Sequence, residues 1–447
     1  MTYGVGERLD GRFGRLWAAA TTSALGSGLS TVAAPLLVAS LTDDPVVVSG
    51  AFAVAWLPWL LFALPGGVLV DRVDRRRLMI VVDWLRVGAL VLLGLCVVAG
   101  LVTVTLLYTV LFLLNTGEIV VRSASQAMVP AVVPRDRLER ANGWLSGGTT
   151  VAQGMIASPL GGLLFVLSAS APFLVNAATY AAGAVLLAGI AGTFRPTPAS
   201  VGTRSVRADL VEGLRWLAAH RLLRTMAVLI GLLNVTLTAA FALLVLVARD
   251  RLGLGSVGYG VLLTCMAVGS LAGALVGDRL IAAVGATWTI RIGLLTEVAL
   301  HLVLAVSSDA HLVGAAFAVF GVHGALWNIV ANSLRQRLTP PDLLGRVGSA
   351  NLFVAAGGNC VGALLGGVLA ARFGLTAPYW VGFVVAVLVT ASTWRIFDRA
   401  TLARAYAEPP PTGGEPAAGG SGEGPDPAAT VPGSADRPTE PSGPNDR

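Results

Sequence analysis

The sequence has no lysine, three cysteines and little charge of either sign. Charged residues make up 13% of the 447, about half the share of a soluble globular chain, which excludes a soluble domain architecture. Cys96, Cys265 and Cys360 each fall inside an apolar run. That placement excludes a disulfide framework or a zinc site and reads as small-residue packing. There is no Gly-x-x-x-x-Gly-Lys loop, no His-Glu-x-x-His, no metal-ligand cluster and no nucleophile elbow. An ATP-driven machine, a metal site, a cofactor and an enzyme are therefore not expected. The net charge of +6 comes from arginines in short clusters between apolar runs, so no nucleic-acid partner is expected. Residues 1–12 are polar, and the first apolar run is too long for a signal-peptide core; it is expected to remain as the first span.

What is abundant is apolar sequence, 55% of the chain. Runs of about twenty such residues, the length that crosses a bilayer as a helix, recur throughout. Twelve spans are predicted, at approximately 13–40, 46–70, 78–100, 101–125, 141–167, 172–192, 223–247, 256–277, 286–306, 311–334, 347–371 and 377–397. The fold class is all-α and polytopic. An even number of spans puts both termini on one side. The termini and even-numbered connections hold most arginines, among them Arg12, Arg72, Arg135, Arg207 and Arg335, while the other side holds Arg249, Arg251 and Arg372. The positive-inside rule then makes the termini cytoplasmic, in a cell membrane. Connections on the opposite side, such as Ser168–Ala171, are too short for an external domain.

The longest internal connection begins Arg195-Pro196-Thr197-Pro198 and continues with Val206, Leu210, Leu214 and Leu217 at helical spacing. That pattern predicts an amphipathic helix in the cytoplasmic interface. It divides the chain into an N-terminus (1–12), a six-helix bundle (13–194), a linker (195–222), a second six-helix bundle (223–397) and a tail (398–447). The tail is mostly Pro, Gly, Ala, Ser and acidic residues, a composition that cannot bury a core and reads as disordered. The two bundles repeat. Asp71-Arg72 and Asp278-Arg279 stand 207 residues apart, as do Pro134 and Pro341, each in an arginine-bearing loop.

The turn Gly67-x-Leu69-x-Asp71-Arg72-x-x-Arg75-Arg76 after the second span resembles the signature Gly-x-Leu-Ala-Asp-Arg-x-Gly-Arg-Lys of the major facilitator superfamily. Asp74 replaces its Gly and Arg76 its Lys. Two further stretches, Arg122-Ser123-Ala124-Ser125-Gln126 through Asn142 and Asn332-Ser333-Leu334-Arg335-Gln336-Arg337 through Val347, resemble the branch of macrolide-efflux proteins and enterobactin exporters. This resemblance covers roughly residues 10–400. It implies two pseudo-symmetric bundles, alternating access, and proton-coupled export of amphipathic or hydrophobic small molecules by a monomer in the lipid bilayer. Span five carries Gly154-x-x-x-Ser158-Pro159-Leu160-Gly161-Gly162, which departs from the antiporter pattern Gly-Pro-x-x-Gly-Gly by one Ser and a shorter spacer. Within this fold, an importer or a lipid transporter is the alternative; a non-transporting membrane partner is a third reading.

The resemblance assigns gating to Asp71, with Arg75 and Arg122 as partners and Gly67, Arg72, Arg76, Asp278 and Arg279 completing the two turns. Anchoring of these arginines to anionic headgroups is the competing reading. Ionisable groups inside spans are costly and normally face a cavity or a partner. Asp83 and Arg86 are three apart, Glu118 and Arg122 four apart, and Glu297 and His301 four apart, with His323 at mid-depth of the tenth span. Each set reads either as self-neutralising or, through Glu118, Asp83, Glu297, His301 or His323, as proton-coupling. Polar or aromatic residues at mid-depth of the expected cavity-lining spans are Asn115, Gln153, Asn234, Thr238, Trp327, Asn328 and Asn359, with Trp56 and Trp59 flanking Pro58. Their alternative is interhelical hydrogen bonding. Gly362-x-x-x-Gly366 and Gly154-x-x-x-Ser158 predict close helix packing.

Overall fold

A computed structural model describes residues 11–70, 72–195, 206–341 and 343–398. The gating candidate Asp71 and the tail beyond residue 398 lie outside them. Among the described residues there is no strand. In chain order the main helices are α1 (Gly11–Leu41), α2 (Pro45–Val70), α3 (Arg75–Val98), α4 (Val104–Val132), α5 (Leu138–Thr150), a π-helical turn (Val151–Ile156), α6 (Ala157–Leu167) and α7 (Ala171–Ala188). They continue as α8 (Val206–Ala219), α9 (Arg221–Phe241), α10 (Leu244–Asp250), α11 (Ser256–Val306), α12 (Ala310–Leu338), α13 (Leu344–Phe373) and α14 (Ala377–Thr393).

Ten of these stretches are long and apolar enough to cross a membrane. One of the ten, α11, is two spans, because Gly285 breaks it with φ 80°, a conformation glycine adopts without a Cβ penalty. The shorter apolar α14 completes twelve. Helix α5, the π turn and α6 together make the fifth span, and α9 with α10 the seventh. The eighth span outruns its expected end. Asp278 and Arg279 are still helical and exposed, and the turn comes at Gly285. The fourth span also continues to Val132, past the expected 125.

Shifted by 207 residues, the six spans of the first half fall on the six of the second to within a few residues, except that the eighth runs on to Gly285, past the shifted end of the second. Each interface between halves pairs the second span of one with the fifth of the other: α2 packs along α13, and α6 along α11. Glycines allow the approach. A Cβ on Gly367 would lie 2.9 Å from the Pro45 carbonyl, and one on Gly260 3.4 Å from Pro159 Cα. Gly362 and Gly366 serve packing within the second half, where side chains would strike Val235 and Ala239 of α9.

The buried apolar residues divide unevenly. Toward the face away from the described chain ends, one continuous core draws on both halves, from Val32–Val38 and Phe173 to Leu243–Ala248, Phe317 and Tyr379. At that far face Arg249 also ties the halves, donating to the Ala39 carbonyl at 3.1 Å and pairing with Asp43 at 2.7 Å. Toward the terminal face there are two separate cores. One, around Phe13, Leu16, Met128 and Phe194, belongs to the first half. The other, around Leu223, Leu294, Leu334 and Phe397, belongs to the second. The halves are thus welded at the far end.

Helix α8 is amphipathic, as its spacing predicts. Its apolar stripe is covered by protein: Leu217 is buried in the second-half core, and Leu210, Leu214 and Trp216 pack against it. Arg346 at the start of α13 clamps the polar side, reaching Asp209 at 3.1 Å and Glu212 at 2.8 Å.

Candidate functional site

A cavity of about 320 Å³ lies within the first half, lined from α1, α2, α3, α4, the π turn and α7. Phe52, Trp56 and Trp59 of α2 form an aromatic wall. Helix α4 contributes Asn115, Glu118 and Arg122, and the π turn contributes Gln153. A π turn adds one residue to the helical repeat and commonly marks a functional position; here it carries an exposed polar side chain at the cavity. Gly28 lets α1 close on that turn, 3.0 Å from Gln153 Cα to where a Cβ would stand. Arg122 sits with its guanidinium carbon 5.8 Å from the centre of the Trp59 ring, within reach of a cation–π attraction.

One side of the cavity is a charged network. Arg86 is 3% exposed and donates to Glu118 Oε2 at 2.6 Å and to Tyr180 OH at 2.6 Å. Its other terminal nitrogen reaches Asp83 Oδ1 at 3.4 Å. The guanidinium carbon lies over the Tyr180 ring, 3.8 Å from its centre. Ser27 of α1 donates to Glu118 Oε2 at 3.1 Å and stands 3.0 Å from Tyr180 OH. Asp83 is fully buried, whereas the Glu118 side chain is 30% exposed. Asp83 and Arg86 therefore meet as their three-residue spacing suggests. The expected Glu118–Arg122 pair is replaced by a Glu118–Arg86 pair between helices, because packing of α3 on α4 brings Arg86 closer than the local helical neighbour. Gly117 permits this, since a Cβ there would lie 2.8 Å from Arg86 Cδ. Ser27 and Tyr180 were not among the sequence candidates. Their only signal is a hydroxyl in an apolar helix, which needs a partner when buried.

The charged turn is tied to its own half. Asp74, where the superfamily signature has Gly, caps α3. It accepts from the Arg77 N–H at 2.9 Å and from the Phe194 N–H at 2.9 Å. Its carboxyl is held below the ordinary range: partial burial pushes it up, but those two hydrogen bonds and the charges of Arg77 and Arg76 outweigh that. Arg76 grips the end of α7 through the carbonyls of Leu187 at 3.0 Å and Ala188 at 2.8 Å. A cation at a helix C-terminus is favourably placed. Arg75 donates to the Ala127 carbonyl of α4 at 3.1 Å. Gly67 lies in the last turns of α2, and Arg72 is exposed in the turn that follows.

The candidates of the second half do not gather in this cavity. Thr238 donates to Asn359 at 2.7 Å in a buried α9–α13 contact, and Asn234 packs against Gly358, 3.2 Å from where its Cβ would stand. Asn328 donates to its own helix at the Gly324 carbonyl. Trp327 and Asn328 line a smaller cavity of about 50 Å³ with Arg335 and Asn351. Glu297 and His301 are buried where α11 meets α14. The His301 ring abuts Gly382, and its Nδ1 is 2.9 Å from the Glu297 carbonyl and 3.8 Å from the Glu297 carboxyl. His323 lies against Gly293 and sits between Phe320, which it meets edge-on, and Trp327, tilted to it, with ring centres at 5.7 and 6.4 Å.

Residues 9–406 match the family model described as transmembrane secretion effector. The chain belongs to this family of major facilitator transporters. Among curated relatives, the transmembrane secretion effector chain is 26% identical over 350 residues to the enterobactin exporter EntS of Escherichia coli O1:K1, covering 76% of this chain and 81% of that one. It is 29% identical over 133 residues to macrolide efflux protein A of Streptococcus pyogenes, where the match spans 33% of the relative and 30% of this chain. In fold it is similar to a bacterial homologue of the iron transporter ferroportin in an inward-facing state, with a TM-score of 0.68 at 16% identity, covering 88% of this chain and all of the other. A mutant of the nucleoside transporter NupG gives a TM-score of 0.73 at 10% identity over 87% of this chain. The protein is a multi-pass membrane transporter of the major facilitator fold.

Proposed function

We propose that this transporter exports hydrophobic or amphipathic small molecules across the cell membrane by alternating access, driven by inward movement of protons. The observation that carries the reading is the cavity itself: an aromatic wall of Phe52, Trp56 and Trp59 faces a part-exposed Glu118 bonded to a buried Arg86. The wall suits apolar cargo, and an ionisable side chain within a membrane-spanning bundle marks a site for proton coupling. With the arginine-rich terminal face cytoplasmic, two separate cores on that side and one shared core on the other suit cargo loading from the cytoplasm. The relatives' names, an enterobactin exporter and a macrolide efflux protein, support the outward direction. Asp71, Arg75 and Arg122 would then regulate closure of the cytoplasmic side, and the protein would work as a monomer.

The test is efflux of ethidium or a macrolide from energised cells expressing wild type, Glu118→Gln or Asp71→Asn, with and without an uncoupler. Uncoupler-sensitive efflux that Glu118→Gln removes supports the proposal. Efflux indifferent to both the uncoupler and Glu118→Gln refutes the proton drive.

A further inference from the structure

The charged network holds two carboxyl groups and one guanidinium. Glu118 is part-exposed at the cavity it shares with Arg122, but Asp83 is fully buried. If both acids were ionised, Arg86 would have to serve two carboxylates, and the charge left weakly paired at Asp83 would cost several kcal/mol after relaxation. One acid is therefore neutral, and the geometry says which. Arg86 makes a 2.6 Å contact to Glu118 but a 3.4 Å contact to Asp83. The closer pair is the charged one. Asp83 is fully buried, and its Oδ2 has no hydrogen-bond partner. An ionised oxygen left unpaired in such a place is disfavoured far more than a protonated one. Oδ2 points toward the space left by Gly183 of α7: a Cβ there would lie 3.7 Å from it and 2.8 Å from Ser23 Oγ. Around Asp83, among the described residues, the titratable or charged groups are Arg86 on its own helix, Glu118 from α4 and Tyr180 from α7. Helix α1 adds the hydroxyls of Ser23 and Ser27.

We propose that Asp83, and not the cavity-facing Glu118, holds the exchangeable proton in this state, and that Arg86 passes from Glu118 to Asp83 as the proton moves the other way. The O–H bond on Asp83 Oδ2 breaks, leaving its electron pair on that oxygen, and an O–H bond forms on Glu118. The guanidinium slides across the Tyr180 ring to the new carboxylate. Before and after, the network contains one cation, one anion and one neutral acid, so no net charge is ever buried. Tyr180 is a positioning residue that keeps the guanidinium in the plane between the two acids. The inference draws on the proton-driven reading only for its use in transport.

The experiment is infrared spectroscopy of the full-length protein in lipid nanodiscs at neutral pH, with carboxyl carbons labelled with ¹³C in aspartate or in glutamate. Glu297 is a second buried acid, so the glutamate arm uses Glu297→Gln; the aspartate arm needs no substitution. The expected result is a protonated-carboxyl C=O band that shifts with the aspartate label, stays in place with the glutamate label and vanishes in Asp83→Asn. In Glu118→Gln the aspartate band should also disappear, because Asp83 becomes the sole anion available to Arg86. A band that follows the glutamate label in Glu297→Gln protein, or the absence of a protonated aspartate at neutral pH, overturns the assignment. An aspartate band that survives in Glu118→Gln overturns the exchange. Uncoupler-insensitive efflux, by contrast, would overturn the proton drive and leave this assignment standing.

Discussion

The two halves share a scaffold and differ in chemistry. Their spans repeat at a 207-residue interval, yet the positions 207 residues on from Asp83, Arg86 and Glu118 are Ile290, Gly293 and Ala325. Where the first half keeps a buried guanidinium between two acids, the second has a glycine covered by the His323 ring. The second half's own buried acid, Glu297, lies one helical turn from that glycine, near His301, and does not line the large cavity. Duplication thus preserved helix lengths and glycine-mediated packing, which the bilayer and the interfaces between halves demand of both copies. It did not preserve the ionisable groups: the Asp83–Arg86–Glu118 network belongs to the first half and the Glu297–His301 pair to the second.

The comparison breaks most sharply at Arg86. Arg86→Ala strands two acids against one another and should cost about 3–5 kcal/mol, the usual penalty for removing one partner of a buried pair. Thermal unfolding of detergent-solubilised protein reads this directly. Arg86→Lys should rescue it poorly, since an ammonium cannot stack on Tyr180 and span both acids. At the matched position, Gly293→Ala should cost about 1–3 kcal/mol through overpacking against the His323 ring. Restoration of stability in Gly293→Ala/His323→Ala would confirm that cause.

A smaller effect separates the cavity-lining Glu118 from the buried Glu297. Glu118→Gln should lower uncoupler-sensitive efflux by about tenfold or more, equivalent to roughly 1.4 kcal/mol, while Glu297→Gln leaves it near wild type. Equal losses in both would mean that the second half also carries the proton. The smallest effect concerns Asp74. Asp74→Ala removes a helix cap and should cost about 1 kcal/mol. Because its carboxyl is held below the ordinary range, this contribution is present at neutral pH. It fades only as pH falls through the lowered value, beneath the usual carboxylate pKa of about 3.9. Acid unfolding of Asp74→Asn should be correspondingly less steep.

Most of the fold was legible because the bilayer writes it in composition: a helix that touches lipid must be apolar for about twenty residues. The errors came where that rule has no say. Asp278 and Arg279 looked like the end of a span, but a helix can run past the hydrocarbon region carrying exposed charge, and only the conformation of Gly285 ends this one. The π turn at Val151–Ile156 left no trace in residue spacing. Within the site, the Asp83–Arg86 contact follows from helical periodicity alone. The true partner of Glu118 does not, because it depends on which faces of α3 and α4 meet. Thr238 and Asn359 hydrogen-bond to each other between helices, the alternative that residue type cannot distinguish from a binding role. The covered stripe of α8 likewise required knowing that α13 lay beneath it.

The single core that joins the halves at the far face has a pharmacological consequence. Under the proposed alternating access, a blocker approaching from that side meets a closed wall, and its apparent affinity is reduced by the fraction of molecules open there. A blocker entering from the terminal face, where the two halves have separate cores, would not have to part that shared core and would pay no such penalty. With the terminal face cytoplasmic, as proposed, inhibition should be sided, and a compound weak on intact cells should bind tightly to the same protein in inverted vesicles.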